Sequence, residues 1–283
     1  MNEQHAPTGI EWTRMYGRRG FTWNPTAGCF HGCTWQMPDG SVTECYAKTI
    51  AEKFNKVYYD GFETHYHHPE RLVEPFRLKE PAGIFVGSMA DLFGHWVPDY
   101  QIQEIIGVMK GAHWHIYQTL SKFPIRLQEF NPFPANVWTG VSLPAGHSMP
   151  AWGAARALKT YLKHIAQVQS SVRFMSIEPL WFDVAPIFEV WIEHNGKLPF
   201  EWAIIGAASN GNKLYPPDEG HTRALVDILN RQGIPIFFKG NMKSLPWALA
   251  NWHEQFPGEM FIPQQQPETK HIPKVQYQQL QLL

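Results

Sequence analysis

Short apolar runs recur along this chain, and each ends in small or polar residues. They lie at Gly20 to Asn24, Gly83 to Val86, Trp114 to Thr119, Val137 to Val141, Val172 to Ile177, Trp202 to Ile205 and Pro235 to Phe238. Continuous runs of this kind, rich in β-branched and aromatic residues, predict strands buried on both faces, as in a parallel sheet. Between them the period changes. Asp99 to Lys110 carries Ile102, Ile105, Ile106 and Met109 at three- and four-residue spacing, the stripe of an amphipathic helix. Ala151 to Val168 and His221 to Gln232 read as helices too, the second stopped by Gly233, and Ala47 to Phe54 as a shorter one.

Strand and helix in alternation predict an α/β fold on a parallel sheet, a partial or full (β/α) barrel of the TIM-barrel-like kind. An open doubly wound sheet has the same alternation. The chain lacks the glycine-rich phosphate loops of nucleotide-binding doubly wound folds, which weakens that reading. A single domain over 1–283 is expected, with a Gln- and Pro-rich tail over 264–283 that carries no chemistry.

Charge narrows the function classes. The chain has 24 basic and 25 acidic residues, so it lacks the basic excess that marks a general nucleic-acid binder. Arg14, Arg18 and Arg19 are read as a solvated basic turn. No apolar run approaches the roughly eighteen residues of a membrane span. The first residues, Met1 to His5, lack the apolar core of a signal peptide. A cytoplasmic protein with reduced thiols is expected, with no membrane partner.

Polar residues concentrate just after the apolar runs, where parallel α/β folds bind ligands. Ser88 and Asp91 follow the second run, Lys122 the third, Ser142 the fourth, Glu178 the fifth and Lys239 the last. Charges beside apolar runs are costly unless paired or solvated, so these positions predict one shared site over the sheet. Three cysteines, the only ones in the chain, follow the first run as Cys29-x3-Cys33-x11-Cys45. Three thiolates suit zinc or iron–sulfur. A structural zinc wants four ligands, and His31 or His5 could supply the fourth. Pro38-Asp39-Gly40 is a turn signal that could return Cys45 to Cys33. His65, His67 and His68 form a separate cluster, read as surface or interface.

These residues resemble the radical S-adenosylmethionine (SAM) superfamily, whose members carry Cys-x3-Cys-x2-Cys after the first strand of a partial barrel. The first two cysteines and their place match; the third follows eleven residues rather than two. Thr22 to Pro25, Cys45 to Ala47, Phe85 to Phe93, Asn136 to Ser142, Arg173 to Leu180 and Pro235 to Lys239 resemble a phage-associated, three-cysteine radical-SAM-like family. The resemblance implies an enzyme holding a [4Fe–4S] cluster on Cys29, Cys33 and Cys45. SAM would chelate the open iron and be cleaved reductively, giving a radical that takes hydrogen from substrate. It implies cofactor-binding roles for Tyr46, Ser88, Asp91, Ser142 and Glu178, and catalytic roles for Lys122 and Lys239. It also implies a reductant such as flavodoxin or ferredoxin, with nucleic acid or a nucleotide as candidate substrate. The competing expectation is a zinc-binding α/β-barrel protein or metal-dependent hydrolase.

Overall fold

The computed structural model describes residues 1–6, 9–36, 40–53, 58–143, 151–210 and 213–258. The expected tail at 264–283 lies outside them. The chain opens with β1 (Asn2–Gln4), a single 3-10 turn (Glu11–Thr13) and β2 (Arg19–Trp23). A long connection follows. It carries β3 (Thr26–Ala27), β4 (Thr34–Gln36), β5 (Val42–Glu44), α1 (Tyr46–Lys53), β6 (Tyr66–His67) and α2 (Glu74–Arg77). Strand and helix then alternate: β7 (Ala82–Val86), α3 (Asp99–Gly111), β8 (Ile116–Ser121), α4 (Pro124–Leu127), β9 (Val137–Ser142), α5 (Ala151–Ile165) and β10 (Arg173–Ile177). The last elements are α6 (Ala185–Asn195), β11 (Trp202–Ile205), the pair β12 (Ala208–Asn210) and β13 (Lys213–Tyr215), α7 (Glu219–Arg231), β14 (Ile236–Phe238) and α8 (Pro246–Ala250).

The main sheet runs β1-β2-β7-β8-β9-β10-β11-β14. Every pairing from β2 to β14 is parallel, and β1 caps the edge antiparallel. The expected strands are thus present, and β7 and β9 are buried at every position. The sheet is open, which selects the partial barrel over the full one. Its curl is visible from one residue. The Trp12 indole packs 4.8 Å from the Phe85 ring on β7 and 6.3 Å from Trp202 on β11. Three strands separate β7 from β11, a span of roughly 19 Å in a flat sheet. One indole reaches both only because the sheet bends around it.

Two cores follow from the alternation of side chains across each strand. The outer face packs against the helices: Ile84, Tyr117, Val137, Val141, Met175 and Ala203 meet Ile102, Ile105, Leu158, Phe188 and Leu225. The inner face holds Phe85, Trp138, Phe174, Trp202 and Phe237 around Trp12 and Met15. Gly83 opens the way for that N-terminal segment, since a Cβ there would stand 2.0 Å from the Thr13 carbonyl oxygen. Toward the carboxyl ends the inward series of β7, β9, β10 and β11 passes to Gly87, Ser142, Ser176 and Gly206. Large rings below and small residues above leave room for a cleft at the carboxyl ends.

α6 and the β12–β13 hairpin are additions to the sequence reading. α6 (APIFEVWIEHN) mixes β-branched and aromatic residues and lacks the clean stripe that marks α3 and α7. α7 begins earlier than its stripe because Asp218 caps it, accepting from the His221 main-chain N–H at 2.9 Å. In the basic turn, Arg19 is paired to Glu3 at 2.7 Å, and Arg18 reaches the Trp114 carbonyl. Among the described residues, no helix is long and apolar enough to cross a membrane.

His115 ties the lower end of β8 to its neighbours. The ring is fully buried. Its Nδ1 accepts from the Ala82 N–H at 3.2 Å, and its Nε2 lies 3.1 Å from the Pro75 carbonyl. Those partners fix the neutral Nε2–H tautomer, since a carbonyl only accepts and an amide N–H only donates. Burial pulls its pKa down to about 4 from 6.5. The unfolded chain therefore binds a proton as pH falls through 6.5 while the native state does not until about 4. The native state loses about 3 kcal/mol across that window and nothing above it. Urea unfolding at pH 7 and pH 4 checks this. Wild type should lose about that much more than His115→Asn, and equal losses would refute the assignment.

Candidate functional site

The cysteine loop is built on short ladders. β3 pairs with β6, and Gly28 follows in the left-handed region at φ +82°. Its N–H donates to the Met89 carbonyl at 3.1 Å, and the Cys29 N–H to Phe62 at 2.9 Å. The long spacing before the third cysteine is a hairpin. β4 pairs with β5 antiparallel, Thr34 opposite Glu44, and the Cys45 N–H donates to the Cys33 carbonyl at 3.1 Å. Cys45 thus stands back beside Cys33, as expected. Pro38 and Asp39 lie outside the described residues, while Gly40 takes a positive φ. The Cys45 carbonyl then accepts from the Thr49 N–H, so Cys45 stands at the amino end of α1, the positive end of its dipole.

The three half-buried thiols line one cleft at the carboxyl ends of the strands. Tyr46, Ser88, Asp91, Lys122 and Ser142 line the same cleft, with His31, Leu120 and Ser121. Eight of the ten sequence-predicted site residues thus come together. Glu178 and Lys239 do not line it. They stand at the ends of β10 and β14 and pair with each other at 2.5 Å. The small Gly206 accommodates that pair, its missing Cβ falling 3.0 Å from Glu178 Cγ and 3.1 Å from Lys239 Cδ.

Asp91, Ser88 and Tyr46 are held in place by the protein. Asp91 accepts from Ser121 Oγ at 2.8 Å, the Lys122 N–H at 2.8 Å and the Phe93 N–H at 3.1 Å. That uses three of about four acceptor positions on the carboxylate. Burial raises its pKa, and these bonds oppose the rise. Ser88 is tied to Asn24, whose Nδ2 donates to Ser88 Oγ at 3.0 Å and whose Oδ1 accepts from the Met89 N–H at 3.0 Å. The Tyr46 ring is mostly exposed, but its hydroxyl turns inward and donates to the Ser88 carbonyl at 2.7 Å. Desolvation of that hydroxyl raises its pKa. The Lys122 ammonium makes no ion pair among the described residues, and its main-chain carbonyl accepts from the Tyr161 hydroxyl at 2.8 Å.

Burial pushes the Cys29 thiol up to about 12, with further upward pressure from Asp91 and the other two thiols. Burial raises Cys33 as well, against the lowering charge of Lys122. Among the described residues, no three His, Cys, Asp or Glu side chains converge as ligands of a single metal ion. One zinc ion would draw its thiolates to about 2.3 Å from a common centre. An iron–sulfur cube instead takes one thiolate on each of three irons, which spreads the sulfurs. A soft donor set of three thiols around one cleft fits the cube.

Two polar residues of the cleft, Ser121 and His31, and one residue beside it, Asn24, are not among the site residues expected from sequence. Ser121 and Asn24 act through side chains that bond other site residues, and spacing carries no signal of such pairing. The sequence offers His31 only as a fourth zinc ligand. The histidine cluster packs on helix α3 and its own loop, His65 on Gln101 at 2.7 Å, His67 near Glu104 and His68 near Glu70 at 3.4 Å.

The model of a family described as "Protein of unknown function (DUF5131)" matches residues 7–261. Among solved structures the chain is similar to a spore photoproduct lyase double mutant with bound AdoMet and dinucleoside spore photoproduct. Identity is 8% and the TM-score 0.45, over 78% of this chain and 63% of that one. It is also similar to a single mutant of spore photoproduct lyase, at 9% identity and TM-score 0.48, over 80% and 78%. Likeness at this level says nothing of function. No curated protein matches.

Gly28 is where the loop tolerates no side chain. A Cβ would stand 1.7 Å from the Thr64 carbonyl oxygen, on a backbone already at positive φ. Gly28→Ala should cost at least about 2 kcal/mol in urea unfolding. A loss under about 0.5 kcal/mol, the range of an ordinary surface change, would show that the loop is not seated this way.

Proposed function

We propose that this chain, which belongs to the family described as "Protein of unknown function (DUF5131)", is a radical SAM enzyme. One observation carries the reading: the only three cysteines of the chain line one cleft with Tyr46, Ser88, Asp91, Lys122 and Ser142. Cys29, Cys33 and Cys45 would hold a [4Fe–4S] cluster, leaving one iron without a protein ligand. When bound, the cluster and SAM would supply one-electron cleavage of the sulfonium and hydrogen abstraction from a substrate.

The protein's own residues do the positioning. The remaining acceptor position of Asp91 suits an ammonium group, and the Lys122 ammonium suits a carboxylate. Ser142, nearly buried at the end of β9, offers a hydroxyl to the same ligand. Tyr46 closes the side of the cleft, fixed by its bond to Ser88. The inner-face rings seal the cleft from below and exclude water on that side. Glu178 and Lys239 stand at the carboxyl ends of β10 and β14, paired with each other. Lys239, aimed by Glu178, would orient a polar group of the substrate, and Glu178 would meet the hydroxyls of a ribose. A flavodoxin or ferredoxin would supply the electron. Nucleic acid or a nucleotide is the candidate substrate by family resemblance, and the near-neutral charge balance gives such a partner no general electrostatic pull.

Anaerobic reconstitution with iron and sulfide tests the reading. The protein should turn brown, with a broad band at roughly 400 nm from thiolate-ligated iron–sulfur, and bind iron and sulfide in equal amounts. Cys29→Ala, Cys33→Ala and Cys45→Ala should each lose most of both. With dithionite and SAM the loaded protein should release 5′-deoxyadenosine. Uptake of zinc without iron would replace this reading with the zinc-binding barrel.

A further inference from the structure

One residue of the cleft turns a ring nitrogen to a cysteine sulfur. His31 lies midway between Cys29 and Cys33, in a turn completed by Gly32 at φ +61°. Its ring nitrogen Nδ1 is 3.2 Å from Cys33 Sγ. The ring lines the cysteine cleft and is held from behind: Phe123 meets it edge-on at 5.3 Å and itself packs on Trp96 at 5.4 Å and His95 at 5.6 Å.

The chemistry of the pair has one solution once Cys33 carries a metal. A metal-bound thiolate has no proton and only accepts hydrogen bonds, so Nδ1 must carry the hydrogen. Donors to the sulfurs of an iron–sulfur cluster stabilise the extra negative charge of its reduced form and raise its potential. We propose that His31 is a positioning residue that donates its Nδ1–H to the Cys33 sulfur and thereby sets how readily the bound cluster accepts an electron. This rests on the radical SAM reading. It gives His31 a part distinct from that of a fourth ligand, because the cysteine sulfur, not the metal, is what its nitrogen faces.

Redox titration of reconstituted wild type, His31→Leu and His31→Asn, followed by the EPR signal of the reduced cluster, tests this. The Asn amide places an N–H where imidazole Nδ1–H stands; Leu places none. His31→Leu should reduce about tenfold less favourably, a shift of about 59 mV to lower potential for one electron. His31→Asn should recover most of it. A Leu variant with the wild-type potential, or an Asn variant as low as Leu, overturns the proposal. Should the Leu variant fail to load, wild type carrying 15N-histidine decides. Pulsed EPR should show one weakly coupled nitrogen, as for a donor to sulfur. A coupling as strong as that of a coordinated nitrogen, or none, overturns it. Wild type that loads no cluster brings down the radical SAM reading itself, whereas loaded wild type with an unmoved potential brings down this role alone.

Discussion

The cleft depends on one short ladder. The hydrogen bonds of β4 with β5, ending in the Cys45 N–H on the Cys33 carbonyl, turn eleven intervening residues into adjacency. An isolated two-stranded hairpin is marginal in water, so the ladder holds only because its base is fixed. Gly28 and Cys29 are tied to Met89 and Phe62 on one side. On the other, α1 follows directly from Cys45 and buries Ala47 and Ala51 against Tyr58, Phe62 and Tyr66. That small satellite core, separate from the cores of the main sheet, is what gives three distant thiols a common position.

The second determinant is the gradient of side-chain size across the inner face. Burying a large aromatic stabilises by about 1.5–3 kcal/mol, and this face buries Phe85, Trp138, Phe174, Trp202 and Phe237 around Trp12. A sheet curled that tightly has no space for ligand at the level of those rings. Space opens only where the inward positions shrink to Gly87, Ser142, Ser176 and Gly206. The core that stabilises the partial barrel thus fixes the depth and floor of the cleft.

The parallel strands were legible because burial on both faces leaves unbroken apolar runs, and their polar ends were legible because charge beside such runs needs a reason. The return of Cys45 to Cys33 was expected from Pro38-Asp39-Gly40, but the β4–β5 ladder that carries it was not, because Thr34 to Gln36 and Val42 to Glu44 are too short to show a strand period. α6 was hidden because its residues favour strands as much as helices, and packing on the sheet decided between them. The union of Glu178 with Lys239 was illegible as well, since it joins residues sixty-one positions apart in sequence. Spacing along one element says nothing of which strand ends become neighbours after the sheet curls.

Asp91 shows why strand-end chemistry and strand-end structure are hard to separate from sequence. A carboxylate this buried is costly unless its acceptor positions are filled. Ser121, Lys122 and Phe93 fill three of them, so the charge that marked a ligand-binding residue first serves to bind β8 to the loop after β7. Asn24 does the same for Ser88 and Met89 on the other side. The two networks hold the rim rigid before any ligand arrives, which removes an ordering cost from binding. A residue can then be both strut and ligand-facing group, provided one acceptor position is left over, and on Asp91 it is the second position of Oδ2, the oxygen that receives the Lys122 N–H, since Oδ1 already accepts from Ser121 and Phe93.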